Sequence, residues 1–514
     1  MNFFGNRANG TTQKKPTVTK RTVQVAKPST PQPVNRPPPQ PARAPGSRFQ
    51  LSQNKNSGKS SKQSQQARPA AKSVAKHALN RGVKRKSATP EVVFSDEEED
   101  DSSDVGGSDS DASRKRIKSS VSSVDSYSGP RRQLVSEKAF QDGGEALDFF
   151  HGADATSGPY AHKFQNPWEA EDFSVVELQY PSKSKRERFE LKWPKNDSDD
   201  YKPMEDILTT IETICMWYLP EDLSSKAIDD ITGFPRRFRL AFTKQSIPEW
   251  ISIVEEFNAL LLPLIENGTV QKQLGHQSTL HLEWIKRILD QIFVRTVSPK
   301  AEKLNAYKNG SDNVYGELFP RFISDIFKKT RLNHEQVFID LGSGVGNVTL
   351  QAALEVGCES WGIEMMPNPC DLAELQAKEF AARTKLWGLD VGPVHLLRGD
   401  MTTHPSVSSI LQRADVILVN NQAFTPALND KLRDMFLDLK VGAQVVSLKP
   451  FVPEGHKMAM RNIDSVVNQF VQRRYEYFSD SVSWSYYGNA HWYIATKDLG
   501  PLNAFRQRMG LDKS

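Results

Sequence analysis

Apolar positions in this chain follow two rhythms, and the change falls near residue 336. Upstream the spacing is helical. Ile251, Val254, Phe257, Leu261 and Ile265 recur every three or four residues behind Ser246-Ile-Pro-Glu249, which supplies an N-cap and an early proline. Leu282, Ile285, Leu289 and Ile292 repeat the stripe. Both predict helices that turn one face into a core. Residues 173–193 (FSVVELQYPSKSKRERFELKW) read as two β runs around a basic turn. Downstream, short apolar runs alternate with longer helical stretches. The runs are Val337–Leu341, Trp361–Ile363, Val394–Leu397, Val416–Val419 and Gln444–Leu448; helices fit over 347–356, 369–387 and 427–439. Strand–helix alternation predicts an α/β fold, a mostly parallel sheet with helices on both faces. Arg473–Phe478 and His491–Thr496 predict a terminal antiparallel hairpin.

The first third of the chain has neither rhythm. Residues 1–90 hold 19 Lys or Arg and no Asp or Glu, and residues 91–112 hold ten acidic residues and no basic ones. The whole chain of 514 residues carries +5, which leaves −4 on 113–514. The cationic character therefore belongs to a tail rich in Pro, Gln, Ser and Lys. Such a segment cannot bury enough apolar area to offset an ordering entropy of about 1–2 kcal/mol per residue. Residues 1–158 are expected to be disordered. An unbalanced cationic tail binds polyanions by releasing counterions. Lys84-Arg85-Lys86 and Arg114-Lys115-Arg116 also suit a nuclear import signal. The acidic run Asp96–Asp101 reads as a solvating spacer, a screen for the tail or a binder of basic proteins.

The longest apolar stretch, Ala259–Ile265, is seven residues and contains Pro263, against about 20 needed to span a bilayer, so no membrane segment is expected. The N-terminus has no apolar signal-like core. Cys215, Cys358 and Cys370 are too few for a disulfide framework and show no metal spacing. A reducing compartment and no metal are the expectation.

Candidate chemistry begins at Val337-Phe-Ile-Asp-Leu-Gly-Ser-Gly-Val-Gly-Asn347, a buried strand running into glycines 342, 344 and 346 and then a helix. Glycines let the backbone turn tightly and approach a ligand. An acid before the loop disfavours a pyrophosphate and suits a ligand with an ammonium group, such as S-adenosylmethionine. Glu364 ends the next strand, 24 residues on, where an acid can accept both ribose hydroxyls. Asp400 ends the third, within reach of an adenine amine. On the acceptor side the fourth strand ends in Asn420, Asn421 and, three residues later, Phe424. An amide carbonyl can orient an amine lone pair, and aromatic walls can hold an amine or cation. Phe424, Tyr315, Trp492 and Tyr493 are the candidate walls. A lysine acceptor, with a reference pKa of about 10.4, would lose its proton on entering such a channel.

Val314-Tyr-Gly-Glu317, Asp340-Leu-Gly-Ser-Gly-Val-Gly346, Val419-Asn-Asn421, Leu448-Lys-Pro-Phe451 and Ser481-Val-Ser-Trp484 stand in the order and spacing of one group. The chain resembles the disruptor-of-telomeric-silencing (Dot-type, non-SET) histone H3 lysine methyltransferases, and among them a fungal member, over roughly residues 170–500. The resemblance implies a seven-strand class I S-adenosylmethionine-dependent methyltransferase (Rossmann-like) fold with a mainly helical N-terminal lobe. The domain reading is a tail at 1–158, the lobe at 159–313, a catalytic domain at 314–500 and a short tail at 501–514. The implied reaction is methylation of a lysine on the globular core of histone H3 in the nucleosome, in the nucleus. Ubiquitylated histone H2B would stimulate it, and roles in telomeric silencing and the DNA damage response follow. The implied cofactor set is Tyr315, Gly316, Glu317 and Leu318 as a cover, then Phe338, Ile339, Asp340, Leu341, Gly342, Ser343, Gly344, Val345, Gly346 and Asn347, with Glu364, Asp400 and Met401. The implied catalytic set is Asn420, Tyr315, Phe424 and Trp492. Met401 stands where the family often has an aromatic residue, and Trp492-Tyr493 where it has a Tyr-Tyr pair.

A methyltransferase of the same fold acting on RNA or another nuclear protein is the main competing reading. A chromatin-binding module with a degenerate site is disfavoured by the intact Asp340, Glu364, Asp400 and Asn420. The Asp-preceded loop and the lack of a hydride-transfer constellation argue against a nicotinamide dehydrogenase.

The near-neutral catalytic region would hold a nucleosome poorly by charge, so the basic tail is expected to anchor nucleosomal DNA. Deleting residues 1–118 should lower nucleosome affinity and flatten its salt dependence while sparing cofactor binding. Binding titrations across a salt series check this; an unchanged slope would remove the tail from that role.

Overall fold

Two small antiparallel ladders open the N-terminal lobe. β1 (Phe164–Gln165) pairs with β4 (Trp193–Pro194), and β2 (Val175–Leu178) with β3 (Glu187–Glu190). Helices follow: α1 (Pro203–Trp217), α2 (Glu221–Ala227), α3 (Phe234–Thr243), α4 (Ile247–Glu266), α5 (Thr269–Gly275) and α6 (Leu282–Thr296). The structure, a computed structural model, describes residues 131–142, 147–168, 174–184, 186–195, 201–305, 316–484 and 490–511. The basic and acidic clusters of the tail and Tyr315 lie outside the described residues.

The α4 stripe is buried at Val254, Phe257, Leu261 and Ile265, and Ser246 accepts a hydrogen bond from Glu249 N–H at the start of the helix. The expected tail gives way to ordered structure earlier than residue 158. Leu134, Val135, Phe140 and Phe149 are buried in the lobe's core. Val135 bridges Leu389, and Phe140 leaves no room for a Cβ at Gly388. A few apolar residues in a polar segment suffice because the folded region presents a ready surface to them.

The second half alternates as its spacing predicts. In order come α7 (Pro320–Thr330), β5 (Val337–Leu341), α8 (Asn347–Gln351) with a π turn at Ala352–Val356, β6 (Glu359–Glu364), α9 (Pro367–Leu386) and β7 (Val394–Arg398). Then follow α10 (Pro405–Arg413), β8 (Val416–Val419), α11 (Pro426–Met435), β9 (Gln444–Ser447), β10 (Phe470–Tyr477), β11 (Ala490–Lys497) and α12 (Gly500–Arg508). The sheet order is β10-β11-β9-β8-β5-β6-β7, parallel except for β11, which runs antiparallel to both neighbours. Every residue of β5 and β8 is buried, as central parallel strands covered on both faces require. Phe322, Ile326 and Phe327 of α7 cover one face with Phe338, Leu418 and Ile494. Ile410 of α10 and Leu432 of α11 cover the other with Ile339, Ile417 and Val445. The chain steps from β5 to β6 and β7 on one side and to β8 and β9 on the other. A crevice opens at such a switch, above the strand tips.

The lobe is joined to the sheet by buried charge. Glu187 of β3 receives Arg295 of α6 at 2.7 Å and Arg383 of α9 at 2.5 Å. Arg295 also reaches Asp206 at 2.7 Å, and Arg383 reaches Glu379 at 2.6 Å. Trp387 donates to Gln291 Oε1 at 3.0 Å, and Tyr218 Oη donates to the Trp387 carbonyl at 2.6 Å. Burial pushes the Glu187 carboxyl up, but Arg295 and Arg383 outweigh it and hold the group at about 2. Its contribution is therefore full above the ordinary glutamate range and is lost as pH falls toward 2.

Replacing one member of this network leaves a charge buried without its partner. Arg383→Met is expected to destabilise by about 3–5 kcal/mol, measured by urea unfolding at neutral pH, with a smaller difference from wild type in acid.

Candidate active site

Strand β5 ends in a loop that only glycine can follow. Gly342, Gly344 and Gly346 have φ of +93°, +55° and +87°. The loop is stitched to β6 by Gly342 and Ser343 N–H, both donating to the Ile363 carbonyl at 2.9 Å. A Cβ on Gly346 would press on Leu396 at 3.1 Å. These constraints fold the chain tightly over the crevice, which is a cavity of about 740 Å³.

Three carboxylates sit at the strand tips lining this cavity, Asp340, Glu364 and Asp400. Asp340 is 3% exposed. Burial first, and then the neighbouring charge of Glu364, push its carboxyl up to about 8. Glu364 Oε2 accepts Gly344 N–H at 3.0 Å, while Oε1 accepts Met365 and Met366 N–H at 2.8 and 2.7 Å. Asp400 Oδ1 accepts from the amide and hydroxyl of Thr402 at 2.8 and 2.9 Å. The first helical residue, Asn347, donates to Glu317 Oε1 at 2.9 Å and accepts from Gln376 at 3.0 Å.

A strip of backbone closes the cavity opposite the glycine loop. Glu317 N–H donates to Ser483 Oγ and Ser483 N–H to the Glu317 carbonyl, both at 2.9 Å. Leu318 bridges Val482, and Phe319 N–H meets the Ser481 carbonyl at 2.9 Å. Trp484 lies against Gly316, where a Cβ would come within 2.9 Å of its ring. Asn420 Nδ2 donates to the Gly316 carbonyl at 3.2 Å. That bond fixes the amide's orientation, and it leaves Oδ1 buried with no partner among the described residues. Asn421 does other work: its Oδ1 accepts Leu448 and Lys449 N–H at 3.0 and 2.8 Å.

Most residues expected at the site line the cavity: Gly316, Glu317, Leu318, Asp340, Gly342, Ser343, Gly344, Asn347, Glu364, Asp400, Met401, Asn420 and Phe424. Of the others, Tyr315 lies outside the described residues, and the rest do not line the cavity. Phe338, Ile339 and Leu341 are packed into the sheet's two cores, and Val345 is 1% exposed against Val297 and Leu372. Strand alternation sends the three β5 side chains into the cores on either face, the loop turns Val345 inward, and Gly346 serves as the N-cap of α8 rather than as lining. Trp492 is 0% exposed, packed edge-on to Phe322 at 5.6 Å and against Tyr475 at 4.7 Å, and is not part of the cavity wall. Its neighbour Tyr493 follows it on the strand, with its hydroxyl 3.4 Å from Glu454. Phe424 stands beside Met401 over the glycine loop, their tips 3.7 and 3.6 Å from where a Gly342 Cβ would lie. It therefore walls the glycine-loop side of the cavity. Sequence reasoning missed Lys303 and Leu304, which reach the cavity from the lobe, and Lys431 and Leu428 from α11. Only tertiary packing brings these in, and no local pattern marks them.

The site fits S-adenosylmethionine on the structure's own terms. A buried, reluctantly charged carboxyl, Asp340, stands beside Glu364 and suits a cation, the carboxylates at the β6 and β7 tips offer acceptors for hydroxyls and an amine, and Met401 with Phe424 forms an apolar slot. With a sheet that carries one antiparallel strand beside its parallel core, these features define a class I S-adenosylmethionine-dependent methyltransferase. The family profile described as "Histone methylation protein DOT1" matches residues 293–497. A protein of Emericella nidulans named "Histone-lysine N-methyltransferase, H3 lysine-79 specific" is 47% identical over 397 residues, 77% of this chain and 78% of its own. One of the same name from Aspergillus fumigatus is 46% identical over 430 residues, 83% of each chain. A third, from Gibberella zeae, is 40% identical over 420 residues, 81% of this chain and 83% of its own. The chain belongs to the DOT1 histone methylation family.

Because the free Asp340 carboxyl titrates near 8, a bound ammonium should draw it into the charged form and release a proton. Cofactor affinity is expected to rise as pH goes from about 6 to 7.5, flattening in Asp340→Asn. Calorimetry in buffers of different ionisation enthalpy reads the proton release directly.

Proposed function

We propose that this chain methylates lysine-79 of histone H3 within the nucleosome, with S-adenosylmethionine as donor. The observation that carries this reading is Asn420. Its amide nitrogen is held by the Gly316 carbonyl, and its buried Oδ1 is an acceptor with no donor among the described residues. An arriving lysine amine offers the N–H that this oxygen lacks, and accepting it would aim the nitrogen lone pair. The names of the relatives supply the substrate.

When bound, S-adenosylmethionine supplies an activated methyl group. The chain's own residues do the rest. Asp340 would hold the amino end, Glu364 the ribose, and Asp400 with Met401 and Phe424 the adenine. Glu317, tied to Asn347 on one side and to Ser483 on the other, would close the cavity over them. Leu318, Val482 and Trp484 share one apolar cluster along the closing strip, and Trp484 packs on Gly316, whose carbonyl holds Asn420; apolar surface there would exclude water and favour the neutral form of the incoming amine. Nuclear residence, stimulation by ubiquitylated histone H2B and anchoring on DNA by the basic tail extend the same proposal.

Incubation of the full chain with labelled S-adenosylmethionine and intact nucleosomes, followed by mass mapping, should place the label on H3 lysine-79. Label on free RNA or on another protein would overturn the reading. Asn420→Ala should lower kcat by about 10²-fold through loss of alignment while cofactor affinity stays near wild type; retained activity would remove Asn420 from the acceptor role.

A further inference from the structure

We propose that Arg132 is a positioning residue for the cofactor, acting through α8 from the end remote from the glycine loop. This rests on the cofactor reading of the cavity and adds to it a part of the chain that lies well upstream of residues 293–497.

Helix α8 and its π turn form one rod over residues 347–356, roughly 15 Å long. One end enters the cavity, where Asn347 and Val348 line it and Asn347 holds Glu317. The other end is widened by the π turn, which turns its last carbonyls away from the usual helical donors. The carbonyls of residues 352–355 each have an identified partner. Ala352 O accepts Gly357 N–H at 3.1 Å and Ala353 O accepts Gly392 N–H at 3.0 Å. Leu354 O and Glu355 O both accept from Arg132 Nη1 at 2.8 Å.

Arg132 is built into this place. Its Nη2 donates to the Asp390 carbonyl at 2.9 Å. Its side chain crosses Gly357, where a Cβ would lie 2.4 Å from Nε. Asp390 N–H meets the Leu134 carbonyl at 2.8 Å, and Ser136 N–H the Gly388 carbonyl at 3.0 Å, which hold the backbone beside it. Burial pushes the guanidinium down to about 10, so the fold accepts a desolvated cation here. A positive charge at this end also complements the helix dipole. The consequence is mechanical: a rod pinned at its far end cannot tilt, and its near end carries the glycine loop and the Asn347–Glu317 bond.

The test compares full-length wild type, Arg132→Gln and Arg132→Lys by calorimetric titration with S-adenosylmethionine and by steady-state kinetics on nucleosomes, each below its unfolding onset. Arg132→Gln should weaken cofactor binding and raise its KM roughly tenfold, with kcat at saturating cofactor within about twofold of wild type. Arg132→Lys keeps the charge but loses the fork, and should fall between them at about threefold. A general packing defect would lower the melting temperature and the active fraction while leaving cofactor Kd and KM unchanged, and that result in Arg132→Gln overturns the proposal. Should Arg132→Gln fail to fold, the lysine variant decides in the same way, an unchanged Kd counting against it. Failure of the wild type to bind S-adenosylmethionine would instead sink the cofactor reading, so the two failures are distinguishable.

Discussion

The fold removes the Asp340 carboxylate from water and sets a second carboxylate, Glu364, beside it, and burial followed by that neighbouring charge lifts its pKa to about 8. Protein interiors avoid that arrangement unless something outside the chain completes it. The location follows from topology. Asp340 ends the strand at which the chain reverses its direction of travel across the sheet, so helices splay to either side and leave the tip open. The glycine loop stitched to Ile363 then keeps backbone close and side chains out of the way. Strand order, loop composition and unpaired charge are thus one constraint seen at three scales.

Holding such a pair in place needs a rigid surround, and the structure supplies it through polar contacts buried between segments far apart in sequence. Glu187 gathers Arg295 and Arg383 from the lobe and from α9. Gln376 of α9 donates to the Val345 carbonyl at 2.6 Å and to Asn347, which ties the helix beneath the loop to the loop itself. Each is costly to bury and costlier to half-satisfy. Their placement makes the lobe part of the site's support, beyond its direct contribution of Leu304 and Lys303 to the wall.

What the sequence revealed and what it hid divide along the range of the physics. Strand runs were legible because β5 and β8 are buried on both faces and read as unbroken apolar stretches. The three acids were legible because each ends such a run. The burial of Leu134 and Val135 was not, since both gain it from Leu389 and its neighbours, more than 250 positions away. Trp492 misled for a related reason. An aromatic residue near an acceptor motif suggested a channel wall, but alternation along β11 points it beneath the sheet toward Phe322 and Leu448. Phe424 was rightly placed at the cavity and assigned to the wrong part of it, because the turn after Asn421, closed by Phe424 N–H on the Asn421 carbonyl, folds it back over Gly342.

Asn420 and Asn421 show how far residue type falls short of role. They are adjacent and chemically identical, and the turn that follows β8, tightened by Asn421 N–H on the Val419 carbonyl, sends them to opposite tasks. Asn421, 1% exposed, spends its carbonyl oxygen on Leu448 and Lys449 N–H and its nitrogen on Asn429 and the Lys449 carbonyl, which fastens the chain leaving β9. Asn420 has its nitrogen engaged by Gly316 and its oxygen without a partner among the described residues. Had the neighbouring backbone offered an N–H instead of the Gly316 carbonyl, the amide would settle the other way round and present a donor, useless to a protonated or neutral amine seeking an acceptor. The polarity that Asn420 presents is therefore decided by a main-chain carbonyl in the closing strip. That carbonyl sits where it does because Trp484 packs against a residue with no side chain of its own.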